Sequence, residues 1–391
     1  MTDSMDERTD GGFERDVLRT VDRFIDEHLE PRAAAIDAAD AYPRDLHDLA
    51  GELGLFGLAV PEAYGGVEVN LRTRLFVIER VCRSSASFGV LLSAWPDGLA
   101  PLTRYGSDAL KGRLLPGIAT GELIPAFALS EPGAGSDAVA LATTAKRDGD
   151  GYVLDGTKTW CTHGSIADVL TVFAKTDPGA GHRGITAFLV EKGTPGFEVV
   201  RDESLTGLRG SPQSTVRFTG ARVPAGHRLG EEGAGFTIAM EALDEARLNC
   251  SAQALGVAWR AIREATSYAN ERIAFDRPII EFQGVHFLLA ELCTEYASAR
   301  ALWLEAIDAY EAGPDRRSGV IGSMAKNACA AIAMKVPVEA IQICGATGLH
   351  RDMPLERLMR DAKAYQIFDG TTQIHNMIIG RYLQKEGLPF D

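Results

Sequence analysis

The chain lacks any surplus of positive charge. Its 40 lysines and arginines stand against 54 aspartates and glutamates, a net charge of -14, so no general basic field exists for a polyanion, and nucleic acid and anionic membrane surfaces are excluded as partners. Only a local basic pocket would serve a small anionic ligand. Long apolar runs are missing too: no uncharged stretch approaches the roughly 18 residues of a membrane span. The opening MTDSMDERTDGG is acidic and polar where a secretory leader is basic and then apolar. A cytoplasmic protein without a membrane partner is the expectation. Six cysteines, Cys82, Cys161, Cys250, Cys293, Cys329 and Cys344, form no C-x-x-C pair, which suits reduced thiols packed as small core residues. The eight histidines show neither H-x-x-x-H nor H-E-x-x-H spacing, so no metal site is expected. Internal repeats and low-complexity tracts are absent as well.

What is present supports a large core: 391 residues, 46% hydrophobic and 24% charged, carry enough apolar surface for one large domain or two to three moderate ones. The pattern divides into three. Over residues 1–124 apolar side chains recur at helical spacing, as in Phe13, Val17, Val21 and Ile25, and again in Leu75, Val77, Ile78 and Val81, which predicts an α-helical domain. Within it GLFGLAVPEAYGG, Gly54 to Gly66, reads as a connecting turn. Over residues 125–232 the period changes. Segments such as Gly151 to Leu154, Val169 to Ala174, Ile185 to Val190 and Ser214 to Phe218 are short, β-branched or aromatic, and separated by DGDG, DPGAG and KGTPG. Connections this short forbid crossover helices, so the expected β-domain is largely antiparallel. Over residues 233–391 long helical patterns return, roughly Ala234 to Phe275, Gln283 to Glu311, Arg317 to Gly345 and Thr371 to Lys385, with Pro278 and Pro314 as breakers. Helices of such length must bury a stripe against neighbours, and a four-helix bundle is the economical solution. The expected fold class is α+β: a helical domain, an antiparallel β-domain and a C-terminal helical bundle.

Four motifs carry the chemistry. ALSEPGAGSDA, Ala128 to Ala138, offers Ser130, Glu131 and two glycines ahead of Ser136 and Asp137, a loop able to present hydroxyls and backbone N–H groups to a phosphate or a polar ring edge. It is not a Rossmann fingerprint, and no βαβ unit surrounds it. GTKTWCTHG, Gly156 to Gly164, sets Trp160 two residues from Thr162, on one face of a strand. The indole either covers a flat ring or packs the sheet core. YANERIAFDRPIIEFQ places Arg272 at the end of one helix and Gln283 at the start of the next. YQIFDGTTQI, residues 365–374, sets the carboxylate of Asp369 just ahead of a helix start.

These motifs, in this order and with an α, β, α layout, resemble the acyl-CoA dehydrogenase family from about Asp16 to Leu383. The resemblance implies FAD as cofactor and an acyl-CoA substrate. By motif, Leu129 and Ser130 would meet the flavin ring edge, Ser136 the diphosphate with a share in substrate binding, and Trp160 with Thr162 the ring near N5. Arg272, Phe275, Gln283, Gln342 and Gly345 would meet the FAD tail, partly across a subunit interface, and Thr371 and Gln373 would also touch the cofactor. A homotetramer, or at least a dimer, follows, with an electron-transfer flavoprotein as acceptor. In LDEAR, Arg247 matches the arginine lining the thioester channel. Asp369 stands where the family's catalytic base belongs, usually a Glu. The alternative position, immediately before Arg247, holds Ala246, and Glu245 would point about 100° away on a helix.

Removing an α-proton while hydride leaves the β-carbon needs a base facing the flavin across the substrate. Asp is shorter than Glu by one methylene, about 1.5 Å of reach. Family members acting on alicyclic thioesters use Asp there, which points to a cyclic or branched acyl group. Asp97, in SAWPDG, reads either as a second acid lining the acyl pocket or as an exposed turn residue, and Asp276 as a solvated or capping residue. Three alternatives stand beside this reading: a nitroalkane-oxidase-like enzyme, a dehydrogenase of acyl-carrier-protein substrates, and an inactive binding protein of the same fold. The first pairs its base with an arginine where this chain has Asn376.

Overall fold

The computed structural model describes residues 12–67 and 69–390; the acidic stretch before Gly12 lies outside them. The first part is helical: α1 (Gly12–Phe24), α2 (Ala33–Ala39), α3 (Arg44–Glu52), α4 (Leu71–Cys82), α5 (Ala86–Tyr105) and α6 (Asp108–Thr120). Side-chain caps start three of these helices. Asn70, Ser85 and Ser107 each accept a hydrogen bond from the backbone N–H three residues on, satisfying a donor the helix itself leaves free. The inner face of α1 buries Leu18, Val21 and Phe24. Phe13 shares the spacing of that face yet is 53% exposed: periodicity selects a face but does not supply a neighbour at the helix's end. Beyond α1 the chain widens into a π-turn, the Glu30 N–H bonding Ile25 O just ahead of Pro31, whose ring and missing N–H disrupt the α-helical ladder.

Two sequence expectations fail in this region. Gly54 to Gly66 is more than a turn, because it folds into two 3-10 turns that bury Leu55, Phe56 and Leu58, and the Phe56 ring stacks on Trp95 at 4.0 Å. Asp97 is no exposed turn residue, since α5 runs straight through Pro96 and Pro101. Burial of Trp95, Leu99 and Leu102 on either side of it outweighs the turn signature of Pro-Asp-Gly.

The middle part is a sheet: β1 (Pro125–Ala128), β2 (Thr144–Asp148), β3 (Gly151–Thr162), β4 (Val169–Lys175), β5 (Ile185–Glu191), β6 (Phe197–Asp202), β7 (Gln213–Pro224) and β8 (Arg228–Leu229). Its order is β6-β7-β3-β2-β4-β5-β8, with β1 beside β4. Pairing is antiparallel except for β1 on β4 and one β2–β4 bridge. One apolar cluster, including Leu154, Val172, Phe188 and Val216, lies within this part of the chain.

The last part comprises α7 (Gly235–Glu271), a small hairpin of β9 (Ile273–Ala274) and β10 (Arg277–Pro278), α8 (Gln283–Glu311), α9 (Arg316–Cys344), α10 (Leu355–Ala362) and α11 (Thr372–Lys385). The four long helices match expectation closely, whereas α10 went unread. By length and composition alone α9 and the turn after it would cross a membrane, but here Ile321, Cys329, Ala333 and Val336 belong to the core. A single apolar cluster joins Leu75, Val81 and Phe88 of the first helices to Leu255, Trp303 and Val336 of the bundle. Among the cysteines only Cys293 is exposed.

Gly98 sets how closely α5 approaches the sheet: a Cβ there would stand 3.0 Å from Ala126 N and 3.1 Å from Pro125 C. Gly98→Val should therefore force α5 off β1 and lower stability by about 1–3 kcal/mol. The midpoint of chemical denaturation reads this, and an unchanged midpoint would contradict the packing described.

Candidate active site

The carboxylate of Asp369 is delivered by a short irregular link. After α10 a 3-10 turn over Lys363–Gln366 leads to Asp369 and Gly370, both left-handed at φ +54° and +97°. Thr371 then caps α11, its hydroxyl accepting from Ile374 N at 3.3 Å. Only glycine fits position 370, where a Cβ would fall 2.9 Å from His375 Nε2 at a φ that disfavours any side chain. Aspartate tolerates the left-handed region better than most residues. The turn thus aims the half-buried Asp369 side chain toward α5 and α7.

There it meets Asp97. Burial raises Asp97 well above the ordinary carboxylate value, Asp369 and Glu245 raise it further, and an Asn249 hydrogen bond at 3.4 Å with the more distant Arg74 only partly offsets this. Asp369 is itself pushed from 3.8 to about 6 by burial, against the pull of Lys326 and Arg247. Of the pair, Asp369 gives up its proton first and Asp97 keeps one. Arg247 is buried, paired with Asp244, and its Nε has no partner. One rung further along α5 and α7, Gln253 Nε2 donates to Ser93 Oγ at 2.7 Å.

Two cavities flank this cluster. Arg247 opens on the larger, about 660 Å³, whose cations Arg104, Arg247, Arg316, Arg381 and Lys385 face Glu241, Asp244, Asp315 and Glu386. Its lining carries five cations against four carboxylates, on a chain of net charge -14. Asn249 borders the smaller, about 30 Å³, walled by Phe56, Leu92, Trp95 and Pro96. It holds little more than one water.

The motif loops sit on the sheet. Leu129 and Ser130 leave β1, and Ser130 O accepts from Thr159 N at 2.9 Å. Glu131 does not turn outward to a ligand: it accepts from Ala142 N at 2.6 Å, Thr143 N at 3.0 Å and Lys158 Nζ at 2.7 Å. Burial alone would raise Glu131, but the ammonium and these bonds hold it below its ordinary value. This inward anchor leaves Ser136 exposed. Trp160 is not in the sheet core. It lies in a β-bulge at φ +58° and is 57% exposed, because the bulge puts Lys158 and Thr159 inward in succession. Thr162 donates to Gln213 Oε1 at 2.8 Å. An exposed indole held in a strained bulge, beside hydroxyls and open glycines at 133 and 135, fits a flat aromatic cofactor with a phosphate tail.

Other motif residues are separate from this group in one copy of the chain. Arg272 ends α7 and Gln283 begins α8, both exposed, and Gln342 and Gly345 lie exposed at the end of α9. Phe275 is 89% exposed. It forms, with Asp276, a two-residue hairpin turn at φ +52° and +65°, so Asp276 serves a backbone need that glycine or aspartate meets. Thr371 and Gln373 follow the acid, Gln373 exposed. Sequence reasoning missed Lys158, Lys326, His375 and the Phe56–Trp95 plug. A lysine amid an apolar helix, as Lys326 in SMAKNACAAIA, was the one available signal.

Comparison with known proteins gives the family of the chain. Family models described as acyl-CoA dehydrogenase N-terminal, middle and C-terminal domains match residues 13–122, 126–221 and 233–384. An acyl-CoA dehydrogenase of Bacillus subtilis is 41% identical over 92% of this chain and 95% of its own length. A cyclohex-1-ene-1-carbonyl-CoA dehydrogenase of Geobacter metallireducens is 42% identical over 91% and 93%. The structure of butyryl-CoA dehydrogenase from Megasphaera elsdenii superposes with a TM-score of 0.92 at 35% identity, covering 96% of this chain and 99% of that one.

Two expectations follow from the geometry. An acid held above its ordinary value favours folding at low pH and loses that contribution as pH rises through the raised value. Asp97→Asn should therefore be more stable than the native protein at pH 8, the difference shrinking toward pH 4; thermal midpoints across that range decide it, and a constant difference would contradict the burial of a protonated Asp97. Lys158→Met strands Glu131 and should cost about 3–5 kcal/mol. Adding Glu131→Gln should recover part of that loss in a denaturation series, and simple additivity would contradict the pairing.

Proposed function

The chain belongs to the acyl-CoA dehydrogenase family, FAD-dependent oxidoreductases of acyl-CoA, and we propose that it oxidises a compact alicyclic or branched acyl-CoA, with Asp369 taking the α-proton. The observation that carries this is the left-handed turn that holds the half-buried Asp369, pushed up to about 6 by burial and drawn back by Lys326 and by Arg247, which itself lines the large cleft. A thioester α-proton is weakly acidic, and a base raised toward neutral is better matched to it than an ordinary aspartate. Among the described residues the Asp369 N–H donates to no backbone carbonyl, which leaves it for the developing enolate oxygen.

FAD, when bound, supplies the acceptor for the β-hydride. Leu129, Ser130, Ser136, Trp160 and Thr162 would hold its ring and diphosphate, with Thr371 and Gln373 beside them. Its tail would lie against Arg272, Phe275, Gln283, Gln342 and Gly345, whose exposure in one copy supports a dimer or tetramer. The coenzyme's phosphates match the cations of the large cleft, Arg247 among them. An electron-transfer flavoprotein is the proposed acceptor for the reduced enzyme.

Two features support a compact acyl group. The space beside Asn249 is small and walled by the Phe56–Trp95 stack. The 42%-identical Geobacter relative is named for an alicyclic thioester. A ring holds its α-carbon stiffly, so a base shorter by about 1.5 Å can still be in range.

The test is anaerobic loss of flavin colour on adding linear, branched and alicyclic acyl-CoAs. Alicyclic or branched thioesters should bleach the native enzyme fastest, with kcat/KM falling about tenfold per pH unit below pH 6, where Asp369 is protonated. Asp369→Asn should slow bleaching by roughly 10²–10⁴-fold. Equal rates on long linear thioesters would remove the substrate assignment, and an active Asp369→Asn would remove the base.

A further inference from the structure

Lys326, midway along α9, is fully buried. Its ammonium donates to the carbonyl of Gly370 at 2.6 Å. A charge taken out of water persists only where its surroundings use it. The next residue grips the same segment: Asn327 Nδ2 donates to Asn376 Oδ1 at 2.9 Å and to Thr372 O at 3.5 Å. Consecutive positions of α9 thus hold the chain on both sides of the α11 cap, Thr371. The buried His375 ring also packs against Gly370, within reach of the Asp369 and Gly370 backbone.

We propose that Lys326 is a positioning residue for the base: its bond to Gly370 O fixes the left-handed Asp369–Gly370 turn, and its charge selects Asp369, not Asp97, as the ionised member of the carboxylate pair. The inference rests on the reading of Asp369 as the base. A left-handed pair of residues is held in place by its neighbours; a charge-assisted bond to the Gly370 carbonyl does this directly. The groups facing Asp369 leave Lys326 as the deciding charge. Asp97 from α5 opposes it, and Arg247 from α7 is already paired with Asp244. Burial pushes the Cys250 thiol up to about 12 and the His375 imidazole down to about 3, so both are neutral. Of the two cations acting on Asp369, Lys326 acts the more strongly.

Two variants separate the tether from the charge. Lys326→Gln keeps a donor and loses the charge, whereas Lys326→Met loses both. In the FAD-loaded enzyme Lys326→Gln should move the acid limb of kcat/KM upward by about one pH unit, a roughly tenfold loss on the acid side with little loss at alkaline pH. Lys326→Met should show the same shift together with a lower kcat at every pH. If Lys326→Met does not fold, Lys326→Gln still decides the matter through the position of its limb. An unmoved limb in Lys326→Gln, with kcat falling only in proportion to lost flavin or lost folded protein, would overturn the proposal. Asp369→Asn is assayed alongside: if it is inactive while the Lys326→Gln limb is unmoved, the base assignment stands and only the role of Lys326 fails. If Asp369→Asn retains activity, both fall.

Discussion

Two carboxylates close enough to act on each other in a partly buried site cannot both ionise without repelling each other, and the centre of this protein is arranged around that constraint. Asp97 enters from α5 and Asp369 from the turn before α11. Burial pushes both upward, and Lys326 and Arg247 draw only Asp369 back toward ionisation. One acid and one base of the same residue type therefore stand together, distinguished by their surroundings alone.

The scaffold serves that pair. The 37-residue α7 carries Glu245, Arg247, Asn249 and Gln253 along one stretch, so a single rigid element lines both cavities. Gly98 lets α5 lie close against β1, fixing Asp97 relative to the sheet that bears Trp160. The Glu131–Lys158 pair stitches the loop after β1 onto β3, and its inward geometry frees the outer edge of that loop. Buried pairs of this kind contribute little net stability; what they give is a single loop conformation.

Much of this was legible in the sequence, for identifiable reasons. Pro278 and Pro314 punctuate the chain, so α8 was read to the residue. Gly149 in DGDG marks the hairpin between β2 and β3. Strand β1 escaped because four residues carry no periodicity, and α10 because its charged face dilutes its apolar one. Asp97 was misjudged since Trp-Pro-Asp-Gly carries a turn signature that only tertiary burial of α5 overrides. Trp160 was ambiguous because alternation assumes a regular strand, and the bulge after Lys158 breaks it. The family motifs located the acid and its turn, but Lys326 and His375 are distant or bland in sequence and reach Gly370 only through the fold.

The most direct test isolates proton abstraction from hydride transfer. With the flavin reduced beforehand, hydride cannot leave the substrate, and the only reaction open to an alicyclic acyl-CoA deuterated at its α-carbon is exchange with water. The account predicts α-deuterium washout by the native enzyme, half-maximal near pH 6, and none above the uncatalysed background in Asp369→Asn. Washout that persists in Asp369→Asn, or that shows no acid limb between pH 5 and pH 7, would contradict it.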